Sequence, residues 1–167
     1  MAPLPFDPIT EAHRQWSEHG WPEAADGMAA VTSIMRAHQL VLAAVDGVLR
    51  PHGLTFARYE VLMLLRFSSR GALPLSVVGS RLQVHLTSVT SAIDRLERDG
   101  LVARERHPTD RRTTLARITP VGRRVAARAT DRLNTKVFSA LPLTPGEQKN
   151  LVESIRAMRQ AAGDFVD

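Results

Sequence analysis

The sequence predicts a mainly α-helical chain with one small β-hairpin, and three observations predict it. Apolar residues fill 44% of the 167 positions while aromatics fill only 5%, and the apolar positions recur at three- and four-residue steps over segments longer than ordinary strands. Two short helical segments meet across the tight turn Gln83-Val84-His85. Beyond the helix stop at Gly100, two short strand-like runs flank a polar loop, the pattern of a hairpin. A chain of this length suits one domain with a sizeable core and helical extensions.

Met1 to about Gly20 holds three of the ten prolines, which predicts an extended, mobile arm with one short turn around Thr10 to Glu18. From Trp21 to Arg50, the residues Val31, Ile34, Met35, His38, Leu42, Val45 and Leu49 follow helical spacing and mark one long helix, stopped by Pro51-His52-Gly53. Leu40, Val41, Ala44 and Val48 make its other side apolar as well, so a second surface, such as another subunit, is expected to cover it. Thr55 is a suitable N-cap for a helix from Phe56 to Ser69 that offers Tyr59, Leu62, Met63 and Leu65 or Phe67 to the core and ends at Gly71.

A short helix from Ser76 to Leu82, the turn, and a helix from Leu86 to Asp99 closed by Gly100 form a helix-turn-helix pattern. The runs Leu101–Arg106 and Thr113–Ile118 read as strands, joined by His107-Pro108-Thr109-Asp110-Arg111-Arg112 into a wing-like hairpin. Thr119 caps a helix with Pro120 at its first position, which Val121, Val125, Ala129, Leu133, Val137 and Leu141 carry toward Pro142. Thr144-Pro145-Gly146-Glu147 is a capping box opening the last helix, with Leu151, Ile155 and Met158 on its core side. The fold class is therefore a winged helix-turn-helix, mainly α with a small β-hairpin wing, extended by helices at both ends.

The formal charge is +5, and all of the 22 basic residues except Lys136 and Lys149 are arginine, whose planar fork suits phosphate oxygens and base edges. Between Arg81 and Arg128 there are eleven arginines against five acids, which leaves the rest of the chain near neutral. A concentrated basic tract points to a polyanion, with nucleic acid ahead of a membrane surface; a solvated, self-paired helix face is the alternative. The absence of cysteine excludes disulfides, thiolate nucleophiles, Cys-based zinc sites and thiol redox sensing. No glycine-rich phosphate loop, G-x-S-x-G or HExxH is present, which argues against an enzyme. The six histidines lack the close spacing of a metal site, so neither metal nor cofactor is expected. No basic start followed by an apolar run opens the chain, and no segment is expected to span a bilayer. A soluble cytoplasmic protein is the simplest reading.

Residues 83–122 carry the functional signal. In the helix after the turn, Val89, Ala92, Ile93 and Leu96 share one face, so Thr87, Ser91, Asp94, Arg95 and Arg98 lie opposite, with Ser88 and Thr90 on the flanks. Short hydroxyl side chains at a helix start allow close approach to major-groove base edges and phosphates; they also serve as simple caps. In the wing loop, Asp110 and Arg112 are two residues apart, and a pairing of carboxylate with guanidinium would hold the Arg extended toward a minor groove or merely stabilise the turn. Sequence-neutral binding of any duplex is the rival reading to a regulator, and it predicts no preferred operator.

Leu54-Thr55 opening a helix, Arg81-Leu82 before the turn, Val89-Thr90 and Asp94-Arg95-Leu96-Glu97 in the next helix, then Gly100-Leu101-Val102, Asp110-Arg111-Arg112 and Ile118-Thr119-x-x-Gly122 follow in order. Over roughly residues 30–135 the chain resembles the multiple-antibiotic-resistance regulator (MarR) family. That resemblance implies a homodimer held by the first and the last two helices, with recognition helices in successive major grooves of a pseudo-palindromic double-stranded DNA operator. It implies an N-terminal arm at 1–20, a helical dimerisation region at 21–53 and 120–167, and a DNA-binding lobe at 54–119.

On the family pattern Thr87, Ser88, Thr90, Ser91 and Arg95 face the major groove and phosphates, and Arg112, beside Asp110, is the minor-groove arginine. His85 is either a phosphate or base contact or a simple cap. The resemblance also implies repression relieved by a small aromatic or anionic effector. Trp16, Trp21, Arg36, His38, Arg58, Tyr59 and Arg66 lie in or near the segments that would border such an effector's cleft. His38 as a helix-interface residue and the tryptophans as anchors of the arm are the plainer alternatives.

Overall fold

In a computed structural model, residues 4–110 and 112–166 are described. The chain runs as α1 (Pro8–Glu18), α2 (Pro22–Leu49), α3 (Phe56–Phe67), β1 (Ala72–Pro74), α4 (Leu75–Leu82), α5 (Leu86–Arg98), β2 (Val102–Arg106), β3 (Thr114–Ile118), α6 (Pro120–Leu133) and α7 (Pro145–Ala161). Most boundaries fall within a residue or two of those expected.

The N-terminal segment departs from the extended arm that its prolines suggested. Pro8 occupies the first turn of α1, where a missing N–H costs nothing, and the Asp7 carboxylate caps the helix by accepting from the Ile9 N–H at 3.0 Å. The helix folds back along α2 through Gly20, whose φ of +95° supplies the reversal.

The shared core lies between α2's C-terminal end, α3, α5, α6 and the sheet, where Leu49, Leu62, Leu65, Ile93, Leu96 and Leu133 are fully buried. Of the α2 residues at helical spacing, Val45 and Leu49 reach this core, whereas Val31, Met35 and Leu42 remain exposed. The expectation that no segment is apolar enough to span a bilayer fails for this helix. Residues Pro22–His52 pass on length and composition, an 18-residue window within them having a mean hydropathy of 1.4. A helix that buries two faces in a protein assembly has the same composition.

Helix α6 ends at Leu133 rather than near Leu141, and the chain continues as one wider turn over Asn134–Phe138. The expected core side of α7 is not buried among the described residues. None of its residues is buried, and Leu151 and Met158 are about half exposed.

The sheet has a strand that sequence reading missed. Its order is β1-β3-β2, all antiparallel, with Ala72 opposite Arg117 and Val102 opposite Ile118. Three residues ending in proline carry too little periodicity to be recognised; their pairing with β3 defines the strand.

The joint between wing and α6 explains the Ile118-Thr119-x-x-Gly122 pattern. Thr119 Oγ1 donates to the Gly100 carbonyl at 2.8 Å and accepts from the Gly122 N–H at 2.9 Å, while the Thr119 N–H donates to the Leu101 carbonyl at 3.0 Å. Gly122 lies against that same carbonyl, where a Cβ would meet the Leu101 oxygen at 2.1 Å. The obstructing atom is backbone, and the Ile118 side chain, 3.0 Å from the same point, closes the other side. Gly122→Ala is therefore expected to destabilise the fold by about 1–3 kcal/mol or more, measured as a lowered urea midpoint at unchanged m-value. A midpoint equal to that of the unsubstituted chain would show that the joint is not tightly packed.

Candidate nucleic-acid interface

Helix α5 is held by one face and open on the other. Val89, Ile93 and Leu96 are no more than 1% exposed, which turns Thr87, Ser88, Ser91, Asp94, Arg95 and Arg98 outward. A groove of about 660 Å3 runs along this outer face beside the start of α3, lined by Thr55, Arg58, Thr87, Ser88, Ser91 and Arg98 among others. Thr90 is different from the other hydroxyls. It is half-buried, and its Oγ1 donates to the Leu86 carbonyl at 3.0 Å, so its hydroxyl is already committed to the helix backbone.

The helix start is set by the turn. Gln83 adopts φ +54°, and His85 caps α5, with its Nδ1 accepting from the Thr87 N–H at 3.3 Å. Accepting through Nδ1 leaves Nε2 as the donor of the neutral ring. The cap therefore uses one ring nitrogen of an exposed residue and does not consume the other.

The wing tip is ordered by Asp110 in a manner different from the expected ion pair. Its Oδ1 accepts from the backbone N–H of Arg112 at 3.0 Å and its Oδ2 from the Thr113 hydroxyl at 2.6 Å, as short acceptors do in turns. The carboxylate shapes the loop backbone, and Arg112 is presented exposed at the tip. Those two hydrogen bonds, Thr113's first and Arg112's second, hold the Asp110 carboxyl below its ordinary pKa. Arg111, which belongs to the basic tract and to the wing motif, lies outside the described residues.

Arg104, which sequence reading left unassigned, fastens the wing to α5. Its guanidinium pairs with Asp94 and with Glu97, and its backbone N–H donates to Glu97 at 3.0 Å. Burial works against its charge, yet the two carboxylates hold its pKa above the ordinary value. The available signal was the pair of acids three residues apart on one helix face, followed by an arginine in the next strand. Asp94 and Glu97 are thus engaged inside the chain, leaving the outer face of α5 to hydroxyls and to Arg95 and Arg98.

The seven residues expected around an effector do not converge on one cleft. Trp16 and Trp21 pack against each other at the α1–α2 corner, their rings tilted by 50° with centroids 5.3 Å apart. Arg36 donates to Gln39 on the exposed part of α2, where His38 also lies. Tyr59 is buried with its hydroxyl 3.0 Å from that of Thr130, and Arg66 donates to the Arg123 carbonyl at 3.3 Å. Arg58 alone of the seven lines a cleft of about 600 Å3 between the end of α2, the start of α3 and the end of α5, together with Arg50, His52, Arg95 and Asp99. There Asp99 lies 3.6 Å from Arg58 and 4.0 Å from Arg95, an arrangement sequence spacing cannot reveal because it spans three elements.

Comparison with known proteins agrees with this architecture. The MarR family model matches residues 54–114. Sco5413, a MarR family transcriptional regulator from Streptomyces coelicolor, is 49% identical, the match covering 85% of this chain and 99% of that one at a TM-score of 0.76. Sco3205 from the same organism, a MarR family transcriptional regulator whose structure is a complex with DNA, is 28% identical over 82% of this chain and 88% of its own, TM-score 0.73. CouR from Rhodococcus jostii RHA1, bound to p-coumaroyl-CoA, is 28% identical over 80% of this chain and 92% of its own, TM-score 0.65. Among curated Bacillus subtilis HTH-type transcriptional regulators, matches are 27% to 34% identical, and the chain spans 60% to 66% of their length. With its open α5 face, its fastened wing and near full-length likeness to Sco5413, the chain belongs to the MarR family of transcriptional regulators.

Proposed function

We propose that the chain acts in the cytoplasm as a homodimer that reads a pseudo-palindromic DNA operator, represses transcription there and is released by a small aromatic or anionic effector. The observation that carries this reading is the exposed α5 face of Thr87, Ser88, Ser91 and Arg95 beside a wing that Arg104 ties to α5 and that presents Arg112. Residues 54–119 form the reading lobe, and residues 21–53 and 120–167 the dimerisation region. On this reading His85 Nε2 and Arg95 take phosphate oxygens, the hydroxyls of Thr87, Ser88 and Ser91 approach base edges, and Arg112 enters the flanking minor groove. Thr90 contributes through its methyl group, and Asp110 through the shape of the loop.

The second copy is favoured by apolar surface that the protomer does not cover. Val31, Met35, Leu40 and Val41 on α2 and Leu151, Val152 and Met158 on α7 are 47% to 65% exposed, more than isolated exposure on a monomer accounts for. For the effector, the cleft at Arg58 supplies the chemistry. A ligand carboxylate entering it would compete with Asp99 for Arg58 and for Arg95, the latter on the DNA-reading helix itself. CouR, which binds an aromatic acyl thioester, lends support to an aromatic acid as the ligand class.

Selection of bound duplexes from a random pool at physiological salt tests the reading. An inverted repeat with half-sites about 10 base pairs apart is expected, and salt-dependent binding without a motif would replace it with sequence-neutral duplex binding. Arg95→Ala is expected to lower the magnitude of the salt slope by about 1; an unchanged slope removes Arg95 from the phosphate contacts. Leu151→Asp alters a residue that is already exposed in the protomer, so it is expected to yield a folded monomer by sedimentation, and a persisting dimer would place the interface elsewhere. Because its folded-state pKa is depressed, the Asp110 contribution to wing order is present above the ordinary carboxyl range and lost as pH falls through the lowered value. The Arg112 and Thr113 amide signals should therefore hold their positions down through pH of about 4 and move only below it. Movement at higher pH would contradict the turn geometry.

A further inference from the structure

Residues 163–165, just beyond α7, are held by several contacts. After α7, the Gly163 N–H donates to the Gln160 carbonyl at 3.0 Å and the Asp164 N–H to the Arg159 carbonyl at 3.0 Å, the paired closure of a Schellman motif made possible by φ +73° at Gly163. The Asp164 carboxylate then accepts from Arg159 Nε, and the Phe165 ring lies under the guanidinium groups of Arg156 and Arg159 at 4.8 and 5.3 Å. These contacts fix the Asp164 carbonyl in space. That carbonyl accepts a 2.7 Å hydrogen bond from Gln83 Nε2, 81 residues earlier in the chain.

Gln83 sits at the hinge of the reading head. It caps α4, its N–H donates to the Gly79 carbonyl, and it stands two residues before His85, the cap of α5. It is also the non-glycine residue with positive φ among the described positions. Glycine or asparagine would suit that backbone better; neither has a side-chain amide that reaches as far as that of glutamine.

We infer that the contact between Asp164 and Gln83 is a positioning contact, through which the tail of α7 fixes the turn that aims α5 at DNA. The inference rests on the DNA-reading role of α5. It assigns to Gln83 no contact with DNA.

Gln83→Gly separates positioning from a merely structural role. It relaxes the strained backbone while deleting the amide, so thermal stability should be kept or raised. Affinity for the selected duplex should nevertheless fall about three- to tenfold, the range expected for loss of one neutral hydrogen bond. Binding to an unrelated duplex should be unchanged. A chain ending at Gly163 should show the same loss, and the two changes combined should lose no more than either alone. Affinity retained in Gln83→Gly, or losses that multiply in the combined variant, would overturn the inference.

Hydrogen exchange without DNA gives a separate readout. The Val84–Ser88 amides should exchange faster in the shortened chain than in the intact one, and equal rates would also overturn it. An unshortened chain that selects no duplex would refute the regulator reading instead, while the exchange comparison still decides whether the tail holds the turn.

Discussion

The burial of one face of α5 is the constraint on which the rest of the molecule depends. Val89, Ile93 and Leu96 are sealed against the lobe core, and truncating such a side chain to alanine costs about 2–5 kcal/mol, a large share of a domain's total stability. That seal fixes the rotation of the helix about its axis. Once the rotation is fixed, the polar residues at the intervening positions have no direction but outward. The presentation of Thr87, Ser88, Ser91 and Arg95 is thus a by-product of packing, which lets the exposed face vary without disturbing the fold.

Rotation alone does not fix the wing. A two-stranded hairpin is marginal by itself, and here it is joined to its surroundings at three levels. β1 adds a third strand; Arg104 ties β2 to Asp94 and Glu97 on α5; and Thr119 with Gly122 locks β2's entry to the start of α6. Partly exposed ion pairs contribute little to stability. The value of the Arg104 pair is geometric, since it relates the wing directly to α5, and Asp94 is thereby satisfied within the protein beside the face proposed to meet a polyanion.

Much of this was legible in the sequence because its signals were local. Caps at Thr55, Thr119 and Thr144, the stops at Gly53 and Gly100, and the apolar period of α5 each arise within a few residues. What was not legible depended on partners in other secondary-structure elements. β1 exists through pairing with β3, Arg104 is defined by acids on the preceding helix, and the Asp99 pairing with Arg58 spans elements separated by the whole helix-turn-helix. The Asp110 expectation erred for a subtler reason. Spacing two residues apart is compatible with either a side-chain ion pair or a backbone turn, and the short aspartate side chain reaches the Arg112 N–H without ordering a long guanidinium. The expected effector residues scattered because membership in neighbouring helices does not place side chains on a common face.

The two exposed apolar surfaces on α2 and α7 give the tail contact its mechanical sense. In the protomer, α7 has no buried residue, so its position relative to the reading lobe is weakly determined by packing within the chain. In a dimer, a second copy would fix α7, and any rigid link from α7 to the turn before α5 would relate the orientation of one reading helix to that of its mate. Two-fold recognition needs that relation, because half-sites lie at a fixed spacing and an independently swivelling lobe would give up affinity to ordering entropy. A single side-chain amide is a weak link in energy. At the turn where α5 begins, the same amide acts on the angle of the whole helix, which is the quantity that operator geometry reads.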